Sequence, residues 1–268
     1  MPGGSGEPTS TLAPLLADPG RGAVLLDLDG TLAPIVARPE DAAIAPAVRE
    51  ALRAIAGCYG LTAIVSGRRA SVAREIAGVD EIAYAGNHGF EVLLPGDAEA
   101  TVALALSGHA DEAPELARAL DSEELERAGV VWEDKGPIVA LHWRRSEDVR
   151  SAERLVERIA ATAARRGLVT HAGRMVLELR PPVAIDKGVA IAGLLAGTGV
   201  RAALYAGDDR TDLDAFRELA RRRDAGDLDA IVRVGVRSDE GPGEIVSEAD
   251  LVVDGPAGMP AVLEALAG

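Results

Sequence analysis

Cysteine is nearly absent: Cys58 is the only one in 268 residues. That excludes an internal disulfide and a cysteine-ligated zinc site. Cys58 itself reads as a small buried or half-buried apolar residue. Aromatics are scarce at 3%, so the core has to be built from Val, Leu, Ile and Ala. Apolar residues reach 48%, enough for a substantial core. Basic residues are outnumbered, 28 against 43 acidic ones, for a formal net charge of −15. A surface of that sign argues against nucleic acid and anionic membranes as partners. It also repels a phosphorylated substrate, so any anion site needs cations placed locally. No apolar run approaches the ~20 residues that span a bilayer. Residues 1–20 are rich in Gly, Pro and Ser and lack a basic segment followed by an apolar one, so they read as a flexible lead, not a secretory signal. Within that lead, Leu12–Leu16 is the part expected to touch the body. A cytoplasmic monomer is expected.

What is present is organised around Val24-Leu25-Leu26-Asp27-Leu28-Asp29-Gly30-Thr31-Leu32. As a strand ending at Asp29, this run puts Asp27 and Asp29 on one side and Leu28 on the other. Both carboxylates then stand at the C-terminal edge, where open α/β sheets bind ligands. Two acids this close repel, so the site needs a cation, a proton or both.

Further on, Ala47–Ala56 has helical periodicity, with Val48, Leu52 and Ile55 on one face. Leu61–Val65 reads as a strand ending in Ser66-Gly67-Arg68, and a helix follows to about Ala77. Glu81–Ala85 is a third strand, ending in Gly86-Asn87-His88-Gly89. This alternation predicts βα units on a parallel sheet. The rhythm breaks at about Phe90. Leu104–Arg127 is mostly helical and acidic. Val130–Trp132 and Ile138–Trp143 are strands around a polar turn, Glu133–Pro137. Ser146–Arg166 is an amphipathic helix. Leu168–Thr170 and Met175–Leu179 are strands around Ala172-Gly173-Arg174. That pattern predicts an α+β domain. After Pro181-Pro182 the βα rhythm resumes. Asp186 N-caps a helix starting at Lys187, Ala202–Ala206 runs into Gly207-Asp208-Asp209, and Thr211 caps the next helix, with Asp214 three residues on. Ile231–Val236 and Leu251–Val253 are the last strands. The predicted fold is α/β: a doubly wound parallel-sheet, Rossmann-like core over 21–89 and 182–268, with an α+β cap inserted at 90–181.

Four strand ends thus carry Asp27 and Asp29, Ser66, Asn87 and His88, and Asp208 and Asp209. Lys187 starts a helix on the same sheet. The set Asp27-Leu28-Asp29-Gly30-Thr31, Ser66-Gly67, Lys187 and Gly207-Asp208-Asp209 resembles the haloacid dehalogenase superfamily of phosphohydrolases, in that family's order. The resemblance implies that Asp27 attacks phosphorus to form an aspartyl-phosphate. Asp29 would protonate the departing oxygen and then take a proton from water. Mg²⁺ would be held by the carboxylates of Asp27 and Asp208 and the backbone carbonyl of Asp29. Ser66, Gly67 and Lys187 would bind the phosphate, with Thr31, Asp209 and Asp212 behind them orienting waters or Lys187.

The flanks narrow the match. Asp27–Ile35, Ser66-Gly67-Arg68, Ala85–Gly89, Glu133–Gly136, Leu141–Arg144, Leu177–Pro181 and Gly207–Asp212 are similar to the trehalose-6-phosphate phosphatases. That similarity implies trehalose 6-phosphate as substrate, in trehalose biosynthesis. It also implies sugar or phosphate contacts from Asn87, His88, Lys135, Arg144 and Glu178. Glu133 and His142 are further candidates, and His142 shares a predicted strand face with Arg144. Hinges are expected near Gly89 and Pro181-Pro182. A sucrose 6-phosphate or glycosyl-phosphoglycerate phosphatase, a phosphomutase and a non-catalytic sugar-phosphate sensor are the alternatives.

Overall fold

Five small or branched apolar residues, Gly22–Leu26, form strand β1, and every one of them is buried. The computed structural model describes residues 8–36, 38–103, 108–173, 175–238 and 241–268. Residues 1–7 of the expected flexible lead, the expected helix start at Leu104 and the expected turn residue Arg174 lie outside them. Contacts divide the chain into two units. One reaches to Thr101 and resumes at Ile185; the other runs Val102–Ala184.

The first unit opens with helix α1 (Pro8–Leu16). After β1 come α2 (Pro46–Cys58), β2 (Leu61–Val65), α3 (Ala70–Ala77), β3 (Ala83–Gly86), β4 (Glu91–Leu93) and β5 (Thr101–Val102). The second unit supplies α4 (Glu112–Arg118), α5 (Ser122–Ala128), β6 (Val131–Asp134), β7 (Val139–His142), α6 (Val149–Arg165), β8 (Val169–Gly173) and β9 (Val176–Arg180). The first resumes with α7 (Lys187–Leu195), β10 (Ala202–Gly207), α8 (Asp212–Asp224), β11 (Ala230–Arg237), α9 (Gly243–Ser247), β12 (Leu251–Asp254) and α10 (Met259–Ala267). No described helix is long and apolar enough to cross a membrane.

One sheet of eight strands carries the first unit, in the order β12-β11-β10-β1-β2-β3-β4-β5. From β12 to β3 the pairing is parallel; β4 joins β3 antiparallel. Strand alternation splits the core into two layers. Val24, Leu26, Ile64, Leu204 and Ala206 face α1, α2, α3 and α10. Ala23, Leu25, Ala63, Ala203 and Tyr205 face α7, α8 and Ile245 of α9. The sheet is therefore wound on both faces.

Several expectations are corrected here. The lead is more ordered than expected: α1 begins at Pro8, and the expected contact of Leu12–Leu16 with the body is made by Leu12 and Leu15, both fully buried. Two leucines three apart lie on one helix face, and that face is buried with the core. The change of rhythm at Phe90 is not the end of the sheet, because β4 and β5 extend it. Cys58 is exposed; α2 ends there, and Tyr59 turns inward in its place. Thr211 precedes α8 but makes no side-chain cap.

The second unit is a four-stranded sheet, β6-β7-β9-β8, antiparallel throughout. Val139, Leu141, Leu177 and Leu179 bury one face with Leu155, Val156 and Ile159 of α6. Trp143 joins that core and Trp132 packs against it, so both tryptophans of the chain lie in this unit. Glu133, expected in a turn, belongs to β6. Arg144, expected on a strand beside His142, lies in the turn after β7 and is exposed.

Candidate active site

Sequence neighbours step away from β1 in opposite directions: β2 and β3 on one side, β10 to β12 on the other. Such a switch point leaves a crevice at the carboxyl ends of the strands. Leu26 pairs with Ala206 at the last rung of β1 and β10. The next residues are Asp27 on one strand, and Gly207 with Asp208 on the other. The Asp27 amide still donates to the Ala206 carbonyl, at 2.9 Å. Asp27 therefore continues the alternation of Ala23 and Leu25 and turns toward α7 and α8. There it meets Lys187, the first residue of α7, whose Nζ lies 2.6 Å from Asp27 Oδ1 and 2.6 Å from Asp212 Oδ1. Asp186 fixes the start of α7 by accepting from the Val189 amide at 2.9 Å.

Asp212 is fully engaged. Its Oδ1 accepts from Lys187 and, at 2.6 Å, from the Tyr205 hydroxyl. Its Oδ2 accepts from the amides of Asp208 and Asp209, at 3.0 and 2.9 Å. A carboxylate offers about four lone-pair sites, and these four bonds use them. A Cβ on Gly207 would lie 2.3 Å from the Asp212 carboxyl carbon, so this approach admits only glycine. Gly30 has φ +88°, and a Cβ there would lie 2.2 Å from Asp208 Oδ2. Thr31 donates to Asp208 Oδ1 at 3.3 Å.

Asp27, Asp208 and Asp212 offer oxygens within 4.8 Å of one another, all buried. Hard oxygen donors in that number suit Mg²⁺. Since the lone pairs of Asp212 are taken, Asp27 and Asp208 are the carboxylates left to hold it. Electrostatics agree. Burial pushes Asp27 well above the usual carboxylate range, against the pull of Lys187, and the charge of Asp212 adds to the rise. Burial and Asp212 likewise carry Asp208 up to about 7, although Lys187 opposes them. Burial works against the Lys187 ammonium, yet Asp212 and Asp27 hold its pKa above the ordinary lysine range. The pocket is short of positive charge, and a divalent cation corrects that.

Asp29 takes another partner. The strand ends at Leu26, so the alternation argument does not extend to Asp29. Its carboxylate faces the Arg68 guanidinium, with Nε to Oδ2 and Nη2 to Oδ1 both at 2.7 Å. This is the bidentate fork that arginine forms with carboxylates. The two adjacent acids are thus balanced by two separate side-chain cations. Ser66, 1% exposed, accepts from the Arg68 amide through Oγ at 3.1 Å. Asn87 and His88 follow β3 with φ of +52° and +60°, a left-handed pair without glycine. Their amides donate to the carbonyls of Arg68, at 2.7 Å, and Ser66, at 2.9 Å. A Cβ on Gly67 would lie 2.8 Å from the His88 ring, so the two loops interlock.

Asp27, Thr31, Lys187, Asp208, Asp209 and Asp212 therefore meet at one strand edge, and Ser66, Gly67, Asn87 and His88 form a second group with Asp29 and Arg68. Sequence reasoning missed two functional side chains here. Arg68 stood in the quoted Ser66-Gly67-Arg68 stretch without a role. Tyr205 gave one signal, a hydroxyl in an otherwise apolar strand two residues before Gly207.

The remaining candidates sit in the second unit. Register places Glu133, Ala140, Glu178 and His171 in one row across its sheet, on the face opposite the buried leucines. His142 Nε2 lies 3.1 Å from Glu133 Oε2. Lys135 donates to Glu178 Oε1 at 3.0 Å, and Arg180 Nε to Oε2 at 2.9 Å. Burial pushes the Glu178 carboxyl up, but Lys135 and Arg180 outweigh it and hold the pKa at about 2.

The trehalose-phosphatase family model matches residues 25–256. The chain belongs to the trehalose-phosphatase family. A trehalose-phosphate phosphatase of Mycobacterium bovis is 36% identical over 205 residues, covering 72% of this chain and 50% of that protein. An uncharacterized glycosyl hydrolase of Mycobacterium tuberculosis is 40% identical over 206 residues, 73% of this chain but 15% of that protein. The chain spans between 15% and 62% of the length of the first curated relatives it matches. Among solved structures, the C-terminal domain of C. albicans trehalose-6-phosphate phosphatase superposes with a TM-score of 0.74 at 22% identity, covering 98% of this chain and 97% of that one. That likeness is one of fold, and it extends to a haloacid dehalogenase-like hydrolase of Bacteroides thetaiotaomicron at 16% identity and a TM-score of 0.64, covering 91% and 98% of the two chains.

Proposed function

We propose that this chain is a Mg²⁺-dependent phosphatase that releases phosphate from trehalose 6-phosphate. The observation that carries the reading is the meeting of Asp27, Lys187 and Asp208 at the switch point of the sheet, in a chain of the trehalose-phosphatase family. Asp27 attacks phosphorus, forming an aspartyl-phosphate as the bond to the sugar oxygen breaks. Asp29 gives that oxygen a proton and then takes one from the water that hydrolyses the intermediate. Ser66 and Lys187 bind the phosphate oxygens and stabilise the charge on them in the transition state. Asp27 and Asp208, with the backbone carbonyl of Asp29, would hold Mg²⁺, which would supply positive charge to the phosphate. Thr31 and Asp212 fix these groups through Asp208 and Lys187, and Asp209 contributes its backbone amide to Asp212. Asn87, His88, Glu133, Lys135, His142, Arg144 and Glu178 are assigned to the sugar, and cytoplasm is the assigned compartment.

Phosphate release from a panel of trehalose, sucrose and glucosylglycerate phosphates tests the substrate. Trehalose 6-phosphate should lead by at least about tenfold in kcat/KM. Asp27→Asn should remove turnover, and chelation should remove it reversibly. Full activity in Asp27→Asn would sink the mechanism. Glu178→Ala should damage hydrolysis of trehalose 6-phosphate far more than that of an aryl phosphate; equal losses would count against its sugar contact.

A further inference from the structure

Glu91 is a carboxylate that the proposed reaction does not use, yet it is only 4% exposed. It opens β4, paired with Gly86 of β3. Its Oε1 accepts from the amide of Ala70 at 2.6 Å. Ala70 is the first residue of α3, and Arg69 before it gives no side-chain cap. The first amides of a helix lack intrahelical acceptors, so an acceptor there fixes where the helix begins. Glu91 supplies it from another strand, 21 residues away in sequence.

The bond closes a ring around the catalytic loops. Between β2 and Ala70 lie Ser66, Gly67, Arg68 and Arg69. Between β3 and Glu91 lie Asn87, His88, Gly89 and Phe90. The two segments are joined by the bonds from Asn87 to Arg68 and His88 to Ser66, and Ser66 also bonds Ala85 of β3. Room for the closing bond depends on Gly86, where a Cβ would lie 2.2 Å from the Ala70 nitrogen and 2.8 Å from Glu91 Oε1.

We infer that Glu91 is a positioning residue that acts through Arg68: by anchoring the start of α3, it sets the loop from which Arg68 grips Asp29 and Ser66 faces the phosphate. The inference rests on the phosphatase reading for its catalytic consequence. Its structural half, an Ala70 amide held by Glu91, does not.

Two conservative variants separate reach from charge. Glu91→Gln keeps the oxygen at the same distance and removes the charge. Glu91→Asp keeps the charge and falls one methylene short. With an aryl phosphate and Mg²⁺, Glu91→Gln should stay within about threefold of the parent kcat, and Glu91→Asp should lose about tenfold or more. If the effect passes through Arg68, Glu91→Asp should cost less than about threefold further in an Arg68→Ala background. A purely structural role would give the same fractional loss in both backgrounds and would overturn the inference. So would Glu91→Asp at parental kcat, or Glu91→Gln as damaging as Glu91→Asp. Hydrogen exchange at Ala70 gives a readout free of turnover: Glu91→Asp should speed it about tenfold. If the parent protein hydrolyses neither aryl nor sugar phosphate, the phosphatase reading fails. Exchange then decides alone, and an unchanged rate at Ala70 overturns the role of Glu91.

Discussion

Asp212 and Asp209 stand three residues apart beside the same loop and do different work. Asp212 is fully buried and joins Lys187, Tyr205 and two backbone amides. Asp209 is more exposed, and among the described residues its Oδ1 accepts from the neighbouring Arg210 amide. Removing one partner of a buried ion pair strands the other, at a cost of about 3–5 kcal/mol. Asp212→Ala should lower unfolding free energy by that order in urea titration, whereas Asp209→Ala should cost about 1 kcal/mol or less. Glu178 gives a pH test. Its folded pKa of about 2 lies below the ordinary 4.5, so it binds a proton less readily folded than unfolded. Its stabilising contribution is complete above about pH 4.5 and fades as the pH falls toward 2. The melting-temperature gap between the parent and Glu178→Gln should accordingly narrow between pH 6 and about pH 2.5. A gap that stays constant would contradict the assignment.

At the scale of elements, legibility followed local pattern. The sequence reading of Leu61–Val65 as a strand coincides with β2, because a short branched run between glycines has few other uses. Asp186 was readable as a cap because its side chain acts within three residues. Elements that depend on distant partners were not readable. The contact of Leu12–Leu16 with the body is readable, but not the helix that makes it: α1 lies in a Gly- and Pro-rich context, and the burial of Leu12 and Leu15 in the core explains it. Leu12→Ala should therefore cost about 2–5 kcal/mol, the range for a buried leucine, and a loss near zero would show that α1 is dispensable. Strands β4 and β5 have three and two residues, too few for periodicity to register. β1 ends three residues before the expected Asp29, because Leu28 continues the apolar pattern into a turn, where the Leu32 and Ala33 amides both bond the Leu28 carbonyl.

Over the whole molecule, the acids of the site were legible and their pairing was not. Asp27, Asp29 and Asp208 announce themselves as carboxylates at the ends of apolar runs, with Gly30 after Asp29 and Gly207 before Asp208. Lys187, 160 residues from Asp27, is placed at that edge by the helix it starts and by the family resemblance, but nothing local says that Arg68 meets Asp29. Those choices depend on which strands neighbour β1, which is a property of topology. The net charge of −15 makes such placement consequential, since the few cations of the first unit's site work against the molecule's own field. The scarcity of aromatics has an optical corollary. Both tryptophans, Trp132 and Trp143, belong to the Val102–Ala184 unit, while Tyr205 sits edge-on to Phe216 at 6.1 Å in the other. Emission excited at the red edge of tryptophan absorption is then a reporter of one unit alone. Against a far-ultraviolet signal that averages both, it can tell whether the two lose structure in one transition or in two.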